Sequence, residues 1–191
     1  MFNPAKELAK NIARIIFGEY SIYYIYGSPD NSHNTSQIEL KSGHSVQVVD
    51  LDTVKSSADP LIRDQVNYLG SEALAYACYV EDRIAGLCIY WFGERYQKRN
   101  FWPLKEGEAK LVQIVTVPQL RGGGIAMELI TRSNMDMLKK GFSRMYARIW
   151  HSNAPSLRAF QRAGWTRRAL LIEMNPLRLG KPIRLRHDLK S

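Results

Sequence analysis

The sequence predicts a mixed α/β fold, and three observations carry that prediction. Two apolar runs, Ala73–Val80 and Ile84–Phe92, flank a tight Glu81-Asp82 turn and pair as an antiparallel hairpin. A run rich in β-branched residues over Glu108–Val117 leads through a glycine-rich turn into helix-spaced apolar residues over Ala126–Lys140. A strand over Arg144–Trp150, a helix over Ala154–Ala163 and a strand over Trp165–Glu173 then follow, so helices and strands alternate around the hairpin.

The elements follow in order. Asn3-Pro4 is an N-cap with proline at the first helical position. Ala5, Leu8, Ile12, Ile15 and Ile16 recur at helical spacing until Gly18, with Lys6, Lys10 and Arg14 on other faces. That pattern suits a helix packed on the domain, and a basic helix on a membrane surface is the other reading. Tyr20–Tyr26, rich in Ile and Tyr, is a strand, and Gly27–Ser36 a polar loop. Ile38–Leu40 and Val46–Val49 are two further strands flanking Ser42-Gly43. Asp59-Pro60 starts a helix whose apolar side is Leu61, Ile62, Val66 and Leu69, with Gly70 as its stop. Trp91–Pro103 breaks the pattern, being both aromatic (Trp91, Phe92, Tyr96, Phe101, Trp102) and basic (Arg95, Lys98, Arg99). In the helix over 126–140, Ala126, Leu129, Ile130, Ser133 and Met137 share a face. Lys139-Lys140 suit its negative end, and Gly141 caps it.

At 191 residues the chain is long enough for one domain with a sizeable core, and 45% hydrophobic against 24% charged residues excludes a disordered chain. The 27 basic and 18 acidic residues leave a net charge of +9, which points to a polyanionic ligand, a nucleic acid or an anionic surface. Residues 167–191 hold seven of the basic side chains and two acids, so much of the excess sits in a short tail. Cys78 and Cys88 lie inside apolar runs, and hairpin pairing sets Cys78 opposite about Ala85. The expectation is two buried thiols in a reducing, cytosolic compartment. Cys and His are not clustered with zinc-ligand spacing, so no metal is expected. No apolar stretch reaches half a membrane span, and charges scattered from Lys6 to Arg14 leave no signal-sequence core.

The sharpest local feature is Arg121-Gly122-Gly123-Gly124-Ile125-Ala126, between a strand and a helix. Without Cβ atoms, backbone N–H groups can approach a ligand closely, and the following helix aims its positive end at the same place. A phosphate or pyrophosphate fits such a turn, which is neither a Walker loop nor a G-x-G-x-x-G fingerprint. The run resembles the R/Q-x-x-G-x-G/A loop of the GNAT superfamily of N-acetyltransferases. Leu111–Pro118 is similar to that family's fourth strand. A second motif lies downstream in Asn153-Ala154-Pro155-Ser156-Leu157-Arg158-Ala159-Phe160 and Gly164-Trp165.

The resemblance implies a mostly antiparallel central sheet with flanking helices and a splayed pair of strands. It covers about residues 46–175, with a helix–strand extension at 1–45 and a basic tail at 176–191. Carried over, the backbone of Ile114, Val115 and Thr116 would pair with the pantetheine arm of acetyl-CoA. Arg121, Gly122, Gly123, Gly124, Ile125, Ala126 and Met127 would hold the pyrophosphate. Asn153 would hydrogen-bond the arm, a role compatible with capping the helix at 154.

Two family groups are replaced. Phe160 stands where many members have a tyrosine that protonates the leaving thiolate, and Arg148 where some have a glutamate base. Acetyl transfer by direct attack of a primary amine on the thioester needs neither. His151, just past the fifth strand of the family pattern, is one replacement candidate, and Glu108, at the start of the fourth, is the other. Segment 91–103 joins the third and fourth strands of that pattern near the acceptor side. Its rings and arginines suit an amino-sugar nucleotide or another anionic small amine. A protein amine is the other acceptor class, and covering the sheet or forming a homodimer is the bland role for the segment. The competing function classes are a non-catalytic acyl-CoA-binding protein on the same fold and a nucleic-acid-binding module. The latter has charge and aromatics in its favour but no helix-turn-helix, zinc-finger or RNP signature.

Overall fold

The computed structural model describes residues 19–29, 43–99, 101–175 and 183–189. The helix expected after Asn3-Pro4, most of the polar loop ending at Ser36 and the strand at Ile38–Leu40 lie outside the described residues. The strands are β1 (Glu19–Gly27), β2 (His44–Val49), β3 (Ala73–Val80), β4 (Arg83–Trp91), β5 (Glu108–Thr116), β6 (Arg144–Trp150), β7 (Thr166–Asn175) and β8 (Ile183–Asp188). The helices are α1 (Leu51–Lys55), α2 (Pro60–Arg63), α3 (Gly93–Gln97), α4 (Ile125–Lys139) and α5 (Ala154–Arg162). The strands form an eight-stranded sheet in the order β2-β3-β4-β5-β6-β1-β7-β8. It is antiparallel at every described pairing except β5 with β6.

The hairpin forms as expected, with Glu81 and Asp82 both at positive φ, the twist a two-residue hairpin turn requires. A register shift after Cys78 sets that residue opposite Gly86, not Ala85. Both cysteines are buried, unpaired thiols. The expected helix from Asp59 to Gly70 is shorter than its pattern. Asp59 caps α2 through Leu61 N (2.8 Å), but α2 ends at Arg63 and a 3₁₀ turn covers Val66–Tyr68. Side chains from outside the helix capture the carbonyls here. Trp91 Nε1 donates to Tyr68 O (2.7 Å), and Arg95 donates to the carbonyls of Asn67 and Leu69.

Two departures from the sequence pattern matter for the site. The segment read as an N-terminal extension supplies an interior strand, since β1 lies between β6 and β7 and pairs with both. Part of the basic tail forms the edge strand β8, where Arg184 pairs with Glu173 and Arg186 with Asp188. Helices α4 and α5 cover one face of the sheet, over a core that includes Tyr90, Leu129, Met137 and Phe160. The opposite face carries α1, α2 and α3 over Leu87, Ile89 and Trp91, and Trp102 over Ile25 and Tyr146.

Candidate functional site

The one parallel pair creates the site. β5 and β6 are in register only from Glu108↔Arg144 to Leu111↔Ala147, and beyond that the two strands part. A β-bulge marks the departure. On the β4 side Ile89 opposes Gln113 and Tyr90 opposes Leu111, which leaves Val112 unopposed. A bulge bends its strand, so β5 turns away from β6 where pairing stops. Among the described residues the backbone of 112–116 then has no strand neighbour on its β6 side, and its polar groups there need other partners.

A cleft of about 940 Å³ fills this opening. Its walls include Ile114, Val115 and Thr116 from β5, the whole run Arg121–Met127, and Asn153 and Phe160 at α5. Leu61 of α2 also lines the cleft. The turn between β5 and α4 has the backbone its glycines suggest. Gly122 (φ 83°) and Gly124 (φ 93°) are left-handed, and a Cβ at either would point into open space. Gly124 is the N-cap residue of the 15-residue α4, so the helix starts at the cleft with its first N–H groups directed there.

The loop is held from below. A Cβ on Gly86 of β4 would stand 2.8 Å from Ile125 Cγ2 and 2.9 Å from Val115 O, so the first turn of α4 rests directly on backbone. His44 Nδ1 lies 2.6 Å from Glu128 Oε2 and ties β2 to the same turn, with Cys78 Sγ within 4.8 Å of both. These three residues are far apart in the chain, and spacing alone does not reveal the grouping.

Asn153 caps α5, its Oδ1 accepting from Ser156 N at 3.2 Å, while also lining the cleft. Phe160 is buried, edge-on to Trp165 at 5.0 Å, and presents carbon to the cleft. Arg158 and Arg162, one turn apart on α5, also line the wall and join Arg121 as three exposed guanidiniums at its rim. The motif alone singled out only Arg121; the i, i+4 spacing of the other two was the available signal.

His151 and Glu108 do not line the cleft. His151 is exposed just past β6, with its N–H and its Nδ1 both on Ile22 O (3.0 and 3.2 Å). Glu108 is at the paired end of β5, where Oε2 accepts from Lys105 N (2.8 Å) and Oε1 from the Tyr146 hydroxyl (3.2 Å). Lys110 went unremarked in the sequence. Its Nζ is buried with no hydrogen-bond partner among the described residues, and burial, followed by the charge of Arg148, holds its pKa well below the usual lysine range. Segment 91–103 divides. Trp91, Tyr96 and Trp102 are core residues and Arg95 caps carbonyls, whereas Phe101 is half-buried beneath Arg148.

The sequence matches the Acetyltransferase (GNAT) family over residues 47–165, more than half of its length. The chain belongs to the GNAT family. Its fold is also that of a GCN5-related N-acetyltransferase-like protein from Streptococcus suis, at TM-score 0.58 and 12% identity over 87% of this chain and 65% of that one. A GNAT acetyltransferase from Colwellia psychrerythraea is similar, at TM-score 0.57 and 12% identity over 87% of this chain and 60% of the other. The chain thus spans less than two thirds of the length of either structure. No curated protein matches it in sequence. GNAT membership supports acyl-CoA-dependent acetyl transfer in general. Among the described residues no helix is long and apolar enough to cross a membrane.

Proposed function

We propose that this GNAT protein is an acetyl-CoA-dependent N-acetyltransferase acting on the primary amine of a small anionic molecule or amino sugar. One observation carries the proposal. The open strand edge at Ile114–Thr116, the left-handed glycine turn at the start of α4, and Asn153 border a single cleft where β5 and β6 part. Those parts fit an extended cofactor: an unpaired strand edge for an amide-bearing arm, a helix N-terminus for a pyrophosphate, and Arg121, Arg158 and Arg162 for phosphate charge. Acetyl-CoA would supply an activated acetyl group.

This chain's residues then position and exclude. Phe160 and Ile114 present apolar walls to the cleft, which lowers competition from water. The amine nitrogen bonds to the acetyl carbon as the carbon–sulfur bond breaks, the thiolate leaves, and the new amide sheds one proton. His151, which does not line the cleft, is the proposed acceptor for that proton by way of intervening solvent. A carbonyl only accepts hydrogen bonds, so the contact with Ile22 O assigns the hydrogen to Nδ1 and leaves a lone pair on Nε2. Glu108, with both oxygens engaged, is assigned to holding the start of β5.

Thermal shift with acetyl-CoA, longer acyl-CoAs and CoA, followed by thiol release over an amine panel, tests the proposal. A raised Tm with acetyl-CoA and thiol release with an amine are expected; no shift with any CoA species overturns it. Because Phe160 brings no hydroxyl to the cleft, a CoA-binding protein without turnover is the second reading. It predicts the shift with no thiol release from any amine. Wild-type kcat/KM across pH 6–9 in both His151→Ala and His151→Gln would remove His151 as the proton acceptor.

A further inference from the structure

The geometry points to Arg148 as the seat of a carboxylate or phosphate on the amine acceptor, an inference that rests on the acetyl-transfer function proposed above. Arg148 is the first β6 residue beyond the last pair with β5, Leu111↔Ala147. It lies on the sheet face opposite α4 and α5. Its Cζ lies over Tyr23 (4.6 Å to the ring centroid) and Phe101 (4.1 Å), which cover that face. Arg148 does not line the cleft itself, but the glycine turn and α4 occupy the other side of the opening, which leaves the face of Arg148 for an amine to enter by.

Three features mark Arg148 as an anion seat. First, among the described residues no carboxylate pairs with it, whereas its neighbours in the same layer are neutralised. Arg184, also over Phe101 (4.6 Å), binds Glu173, and Arg186, over Trp102 (4.3 Å), binds Asp188. Second, Tyr23 and Phe101, set at 80° to each other, both hold the guanidinium, and among the described residues its N–H donors make no hydrogen bond. That arrangement recognises carboxylate or phosphate through two parallel hydrogen bonds. Third, among the described residues no counter-charge answers Arg148, and Lys110 on the same face is held neutral by its burial beside that charge. The nearest carboxylate along β5, Glu108, is already held by Lys105 N and Tyr146. An anion on Arg148 supplies the missing counter-charge, and a neutral acceptor does not.

Matched acceptor pairs differing only in the anion test this: an amino acid against its amide, and an amino-sugar phosphate against the free amino sugar. In the wild type the anionic member of at least one pair is expected to have about 100-fold higher kcat/KM, expressed mainly in KM. The pair that shows the preference identifies carboxylate or phosphate as the group. In Arg148→Ala the ratio within that pair falls to near one. Arg148→Lys restores only part of it, because an ammonium lacks the planar fork.

A second measurement needs no turnover. Protein saturated with CoA, which occupies the glycine turn, is titrated with inorganic phosphate and with acetate while Tm is followed. A shift in the wild type that Arg148→Ala lacks supports the seat. Equal behaviour of the two proteins, or equal kcat/KM within every pair, overturns it. A Tm rise with acetyl-CoA in both proteins shows separately that the acetyl-transfer function stands. Its absence in both removes that function and this inference with it.

Discussion

At the scale of single residues, Lys110 and the two cysteines carry the clearest consequences. Folding buries the Lys110 ammonium beside the Arg148 charge, so the native state prefers it neutral. Between its lowered native pKa and the ordinary lysine value the unfolded chain binds the extra proton, and stability rises with pH across that window. Lys110→Met removes both the cost and the slope. It is expected to be more stable by about 1–3 kcal/mol at neutral pH, with the gap to wild type narrowing toward pH 10 in urea titrations. A gap that is constant with pH would contradict this. The thiols act in the opposite sense. Burial pushes Cys78 up to about 11 and Cys88 up to about 12. The unfolded chain therefore loses thiol protons first, and their contribution to stability declines as pH climbs past about 9. At pH 8 neither thiol should react with iodoacetamide until denaturant is added, and mass spectrometry of the native protein checks this. Of the site, the stretches that line the cleft contiguously, Ile114–Thr116 and Arg121–Met127, were legible because a local motif carries them. Arg158, Arg162, Leu61 and Lys110 were not, because their meaning depends on which chain segment lies opposite.

At the scale of elements, the contact between Gly86 and the first turn of α4 couples sheet to loop. Gly86→Ala forces Ile125 and Val115 apart, with a backbone oxygen unable to step aside. A loss of about 1–3 kcal/mol in denaturant unfolding is expected, together with a smaller Tm rise on adding acetyl-CoA. Wild-type values for both would show that α4 shifts without cost. Elements were legible where one face is buried. β6 matches its expected span, since Met145, Ala147 and Ile149 alternate inward. α1 escaped notice because five residues with one buried side chain, Val54, carry too little periodicity. β8 alternates as a strand does, yet all six of its residues are exposed and its arginines look like a solvated tail. α2 was overextended because its apolar spacing continues to Leu69, while Trp91 and Arg95 claim the carbonyls from a distance.

At the scale of the molecule, the order of the strands is the feature that local patterns did not reveal. β1 reads as an appendage, yet it fills the sheet between β6 and β7 and buries Ile25 and Tyr26. A chain starting at residue 46 leaves two strand edges facing an empty slot. It should show no cooperative thermal transition and no native near-ultraviolet circular dichroism, and a cooperative melt in that variant would contradict the assignment of β1 to the core. The slot also imposes an order in time. Ile22 meets His151 across 129 residues and Tyr26 meets Arg167 across 141. A ribosome needs on the order of ten seconds to make that much chain. β1 therefore waits without its partners until β6 and β7 have emerged, and the sheet closes from its middle as one late event.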